Sequence, residues 1–165
     1  MKKIIAMLLC VFLLASFAGC SSEGSASYNI NDIMTAIEEV APVTMGGEMD
    51  DDILTGIYGI NMEDVEEYVG KYSMANVSSD EILIVKAAKG KAETIKAACE
   101  ARREAKASGC EMYLEDQFLK AEAGRIVVKG DYVVFVIAGD NDVIINEGAE
   151  KAYEPIDAAI DEAMK

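Results

Sequence analysis

The 165 residues include thirty carboxylates and four cysteines but no histidine. Without an imidazole, neither a Ser-His-Asp nor a Cys-His nucleophile can be assembled from this chain, and the histidine-based zinc sites go with it. Paired carboxylates of the glycoside-hydrolysing kind remain. Thirty acids make chance pairs plentiful, however, and there is no tryptophan to build a sugar platform; we expect no enzyme. Two acidic stretches raise the question of calcium. In DNDVIINE, from Asp140 to Glu147, Ile144 and Ile145 fall at the fifth and sixth positions, where an EF-hand loop needs an oxygen ligand and a glycine. Asp142 reads instead as a helix N-cap, and Asp50 to Asp52 as a solvated loop. No catalytic, metal-binding or cofactor-binding residue is assigned.

Arg102 shares a helical stripe with Ile95, Ala98, Cys99 and Ala105. A buried guanidinium there would require a carboxylate partner; the reading preferred from sequence is that its stem covers the core edge while its head reaches water. Tyr58, Tyr68, Tyr72 and Tyr113 either rim a ligand groove or, as we expect for most, sit half-buried in sheet and loop. On one continuous helix, Cys99 and Cys110 would stand about 16 Å apart, against the roughly 7 Å that a disulfide tolerates. Two separate thiols are therefore expected, and a bridge would need the chain to reverse at Ser108-Gly109.

The remaining candidate is Cys20. Lys2 and Lys3 precede an uncharged apolar run from Ile4 to Ala18, shorter than the roughly 20 residues of a membrane span and patterned like a secretory signal. Ala18, Gly19 and Cys20 resemble the lipobox of bacterial lipoproteins, although Phe17 stands where that motif usually carries leucine. The expectation is a leader over 1–19 and a lipid-attachment residue at Cys20, anchored by fatty acyl chains of the palmitate kind. Two or more chains, at about 0.8 kcal/mol per buried methylene, hold a protein stably where one does not. The serine-rich stretch 20–28 reads as a flexible tether, and 29–165 as a single domain.

Fifteen basic residues face thirty acidic ones. Loss of Lys2 and Lys3 with the leader would leave 13 against 30, a net charge of −17. Nucleic acid is excluded as a partner, because affinity for it rests on neutralising phosphates with Lys and Arg. Anionic headgroups would also repel this surface, which leaves the anchor to hold the protein at the membrane.

The elements that must position these residues follow from periodicity. Ile30, Ile33, Met34, Ile37, Val40 and Ala41 predict a helix, started by Asn29 or Asn31 and closed by Pro42. Residues 43–61 read as a loop with one helical turn. VEEYVGKYSM and EILIVKA predict one hairpin, Gly90 to Ser108 a helix, Leu114 to Ala123 a short helix, and RIVVKGDYVVFVIAG a second hairpin. Ile145, Ala149, Ala152, Ile156, Ala159 and Ala163 predict one long helix, bent or broken at Pro155. DEILIVKA and DYVVFVIA share Asp, Val and Ala at equal offsets, a weak internal echo. The fold class is α+β: an N-terminal helix, then two strand-strand-helix units forming a four-stranded antiparallel sheet with helices over a face.

IYGINMEDVEEYV from Ile57, SSDEILIVKAAKGKAETIKAACEARREA from Ser78 and KGDYVVFVIAGDND from Lys129 together resemble the domain of unknown function 4358 found in small lipoproteins of clostridia-type bacteria. The resemblance covers roughly 30–150. It implies a lipid-anchored domain on the extracytoplasmic face of the membrane and carries over no site residues. The expected role is binding, as an accessory to an unidentified envelope protein. The alternative is a small-molecule or metal-ion carrier that hands cargo to a transporter.

Overall fold

The computed structural model describes residues 27–165. The expected leader, the lipid-attachment residue Cys20 and the tether up to residue 26 lie outside the described residues.

Helix α1 (Ile30–Val40) starts at Asn29, whose side chain accepts a hydrogen bond from the Asn31 backbone N–H. Its Ile30, Ile33, Met34 and Ile37 form one buried stripe. Next come β1 (Gly46–Glu48) and α2 (Asp51–Gly56), where Asp50 caps the helix by accepting from the Ile53 N–H. The first hairpin is β2 (Val65–Ser73) and β3 (Glu81–Ala87), followed by α3 (Ala92–Cys110) and α4 (Glu115–Glu122). The second is β4 (Arg125–Lys129) and β5 (Tyr132–Ile137), turned at Gly130, whose φ of 61° lies in the left-handed region. Helices α5 (Asn141–Asn146) and α6 (Ala149–Ala163) complete the chain.

The class is α+β, as expected, but the sheet has five strands in the order β1-β2-β3-β5-β4, with every neighbouring pair antiparallel. The fifth is β1, whose Gly46, Gly47 and Glu48 pair with Ser73, Tyr72 and Lys71. Three residues with two glycines carry no alternating pattern, so only pairing makes this segment a strand. Helices also cover both faces rather than one. Ile82 and Ile84 of β3, with Val134 and Val136 of β5, pack against α1 and α6; Leu83 and Val85, with Val133, Phe135 and Ile137, pack against α2 and α3. The two central strands are apolar at nearly every position because neither face meets water.

The echo between the hairpins is not a structural repeat. Ile82 and Val133 occupy the same offset in it yet face opposite sides of the sheet.

At the C-terminus the break falls at Gly148 (φ 99°), not at Pro155, across which α6 continues. Pro155 and Lys151 are both exposed, so the Lys151 carbonyl that loses its helical donor faces solvent. The buried stripe uses Ile144 and Tyr153, while Ile145 is half exposed. The α5 N-cap is Asp140 rather than Asp142: its side chain accepts from the Asp142 and Val143 N–H groups. Cys99 and Cys110 are two free, buried thiols on the single helix α3.

Candidate functional site

The residues immediately before the apolar run of β3 are Ser78, Ser79, Asp80 and Glu81, and the last three are buried. Burying polar groups is unfavourable unless each finds a partner. Here α3 and α4 supply them. Gln117 of α4 is 3% exposed; its side-chain oxygen accepts from the Ser79 N–H at 2.8 Å and from the Ser79 hydroxyl at 3.0 Å. Its amide then donates to Asp116 at 2.7 Å and to Asn141 at 3.1 Å. One side chain thereby ties the start of β3 to α4 and α5.

Adjacent strand residues point to opposite faces, so Asp80 and Glu81 meet different helices. Glu81, 1% exposed, turns toward α3. Arg102 donates to it from both Nε, at 2.9 Å to Oε2, and Nη2; Lys106 Nζ lies 2.9 Å from Oε1, and the Tyr58 hydroxyl donates to Oε2 at 2.9 Å. The Arg102 guanidinium also sits 5.5 Å from the Tyr58 ring centre. Burial, reinforced by the Glu81 carboxylate, pushes the Tyr58 phenol well above its ordinary value, so it stays a donor. Burial works against the charge on Arg102, but hydrogen bonding and attraction to Glu81 outweigh it and raise its pKa. Arg102 is therefore a partnered guanidinium, not the solvent-reaching side chain preferred from sequence.

Asp80 turns the other way and meets Lys120 of α4, with Nζ 2.7 Å from Oδ1. Their side chains are only 9% and 3% exposed. Tyr153 of α6 fixes the local geometry: its hydroxyl donates to the Lys120 carbonyl at 2.9 Å and accepts from the Ala138 N–H at 3.3 Å. This ion pair lies on the floor of a cleft of about 290 Å³, walled by Val40, Pro42, Thr44, Asp140 and Asn141. A second hollow of about 280 Å³ shares Val40, Gly139 and Asp140 with it and continues along Val143, Glu147, Lys151, Ala152 and Pro155. An ammonium has three donors, and that of Lys120 uses one; Oδ2 of Asp80 accepts none among the described residues. The cleft thus offers unused donors and an unused acceptor from two charges held in place by packing.

Of the acidic stretches singled out from sequence, the one that starts at Asp140 puts Asp140 and Asn141 in the cleft wall, whereas Asp50 to Asp52 and the four tyrosines lie apart from it. Asp50 caps α2, and Asp51 accepts from the Tyr68 hydroxyl at 2.6 Å. Tyr58 is buried at the Glu81 cluster, Tyr68 and Tyr72 are half-buried on β2, and Tyr113 is 73% exposed; these four form no common rim. Asp80, Glu81, Gln117 and Lys120 were missed. One signal for two of them was present: Gln117, Lys120 and Ala121 stand at i, i+3 and i+4, the spacing of a buried helical face.

No curated protein and no solved structure matches the chain. Residues 40–138 match the family described as domain of unknown function DUF4358. The matched segment runs from the end of α1 through β5 and includes Asp80, Glu81, Arg102 and Lys120, with Asp140 and Asn141 just beyond it. It covers more than half of the 165 residues, and the chain belongs to the DUF4358 family.

Proposed function

We propose that this protein is a lipid-anchored binding domain on the extracytoplasmic face of the bacterial membrane, acting without catalysis and receiving a small polar ligand in the cleft above Asp80 and Lys120. The observation that carries the binding role is that buried ion pair, which opens onto a cleft with unused donors and an unused acceptor. Ligand pockets characteristically combine a preformed hollow with a few fixed polar groups. The anchoring rests on Cys20 and the leader before it. Mass spectrometry of the native protein is expected to find Cys20 at the N-terminus carrying diacylglycerol. An intact leader or a free Cys20 thiol, with the protein in the cytosolic fraction, overturns the anchoring.

A second reading, an accessory that docks an envelope protein, is favoured by the exposed side chains of Met45, Met74 and Val77, which are 65%, 57% and 64% accessible. Met45 and Met74 adjoin through a backbone hydrogen bond of 3.1 Å beside edge strand β1. Crosslinking from residue 74 in intact cells tests this: a single stoichiometric adduct supports the accessory role, and its absence removes it.

A further inference from the structure

We propose that the cleft binds a free α-amino acid with an apolar side chain, an inference that rests on the cleft being a binding site. The floor presents charges of both signs side by side. Among the described residues Lys120 Nζ spends one donor, on Asp80, which leaves two for a carboxylate; Asp80 Oδ2 accepts nothing among them and suits an ammonium. At the rim, Asp140 uses Oδ1 to cap α5, while its Oδ2 has no partner among the described residues; it adds a second acceptor for an ammonium. Asn141 receives the Gln117 amide on its oxygen, and its own amide N–H₂, without a partner among the described residues, adds a second donor for a carboxylate. A simple anion would satisfy Lys120 and face two carboxylates; a simple cation would satisfy the carboxylates and face Lys120. Only a molecule carrying both charges a few ångströms apart completes both halves.

Size and the adjoining hollow narrow the class. About 290 Å³ is at the lower limit of small-molecule sites, and the neighbouring 280 Å³ is walled by Val40, Val143, Ala152 and Pro155, with the exposed Glu147 and Lys151 also on its lining. The charged head therefore sits over Asp80 and Lys120, and an aliphatic side chain extends past Gly139 into the second hollow. Gly139, with φ at 127°, leaves this passage free of a side chain.

Titration calorimetry and backbone-amide NMR on the full chain in detergent test the inference, with leucine, valine, glycine, acetate, methylammonium, inorganic phosphate and Ca²⁺ as probes. Leucine or valine is expected to bind saturably and shift the amides of Asp80, Lys120 and Gly139 to Asn141. Glycine should bind at least tenfold more weakly, acetate and methylammonium more weakly still. The double variant D80N/K120M removes both charges together and leaves neither stranded; it should keep the fold and lose binding. Equal affinity for leucine and acetate overturns the zwitterion. Saturable binding of phosphate or Ca²⁺ at these amides, with none of leucine or valine, overturns the ligand class while the binding role stands. No perturbation of the cleft by any probe overturns the amino acid, and the binding role falls with it if the dialysable fraction of spent culture medium also leaves these amides fixed.

Discussion

Replacing Arg102 by methionine separates its two possible roles, because methionine keeps an apolar stem over the core edge while removing the guanidinium. The change takes away the Nε bond to Glu81 at 2.9 Å, the second bond from Nη2 and the stacking against Tyr58 at 5.5 Å. Charge-assisted hydrogen bonds contribute about 1.5–3 kcal/mol each, and stripping a buried charge of its only partner costs about 3–5 kcal/mol. Glu81 keeps Lys106 and Tyr58, so the loss should fall below that limit, at about 2–3 kcal/mol. For a domain of this length that corresponds to a drop in Tm on the order of 10 °C. Urea denaturation followed by circular dichroism reads it as a lower midpoint at unchanged slope. Removing Lys106 as well leaves the buried carboxylate with Tyr58 alone, and the double variant should approach 3–5 kcal/mol. If Arg102→Met costs less than about 0.5 kcal/mol, the value of an exposed pair, Arg102 contributes only its stem and the cluster is not a structural element.

Three further outcomes follow from the same contacts. Lys120→Met alone strands the Asp80 carboxylate at 9% exposure and should cost about 3–5 kcal/mol, most of it recovered in D80N/K120M; equal midpoints for the single and double variants would contradict this. Gly70→Ala should destabilise β2 by about 1–3 kcal/mol, since its Cβ would stand 2.6 Å from the Met49 sulfur and 3.1 Å from Leu83 Cδ1; an unchanged midpoint would show that Met49 yields freely. Burial pushes the Cys99 thiol from an ordinary 9 up to about 12. The unfolded chain therefore releases that proton first, so stability is intact below pH 9 and falls as the pH rises toward 12. Cys99→Ala should flatten the limb between pH 9 and 10, before the tyrosines titrate, and an identical limb in both proteins would refute the assignment.

Where local periodicity carries the information, the sequence was readable. The second hairpin announces itself through two β-rich runs joined at Lys129-Gly130, α1 and α3 through helical stripes, and Asn29 caps α1 as its type predicts. The one-sided sheet was a misreading of a signal in plain view: the unbroken apolar runs of β3 and β5 require cover on both faces. β1 had no such signal, because two glycines become a strand only through pairing with Tyr72 and Ser73. Caps and breaks turned on single backbone angles. Asp140 rather than Asp142 caps α5 because the chain enters extended at Asp140, and Gly148 breaks the C-terminal helix through its positive φ. The site was least legible. Glu81 meets Arg102 across 21 residues and Asp80 meets Lys120 across 40, and no spacing rule selects those two acids from thirty. What spacing does mark is the buried face of α4, where Lys120 stands beside Ala121, and a lysine on such a face calls for a carboxylate.

The central claim is that the cleft above Asp80 and Lys120 receives a ligand. The most direct test is amide NMR of the full chain in detergent, titrated with the dialysable fraction of spent culture medium. Saturable shifts are predicted at Asp80, Lys120 and Gly139 to Asn141, and their disappearance in D80N/K120M. A folded protein whose cleft amides stay fixed at saturating fraction, or shift equally in that variant, would contradict the account.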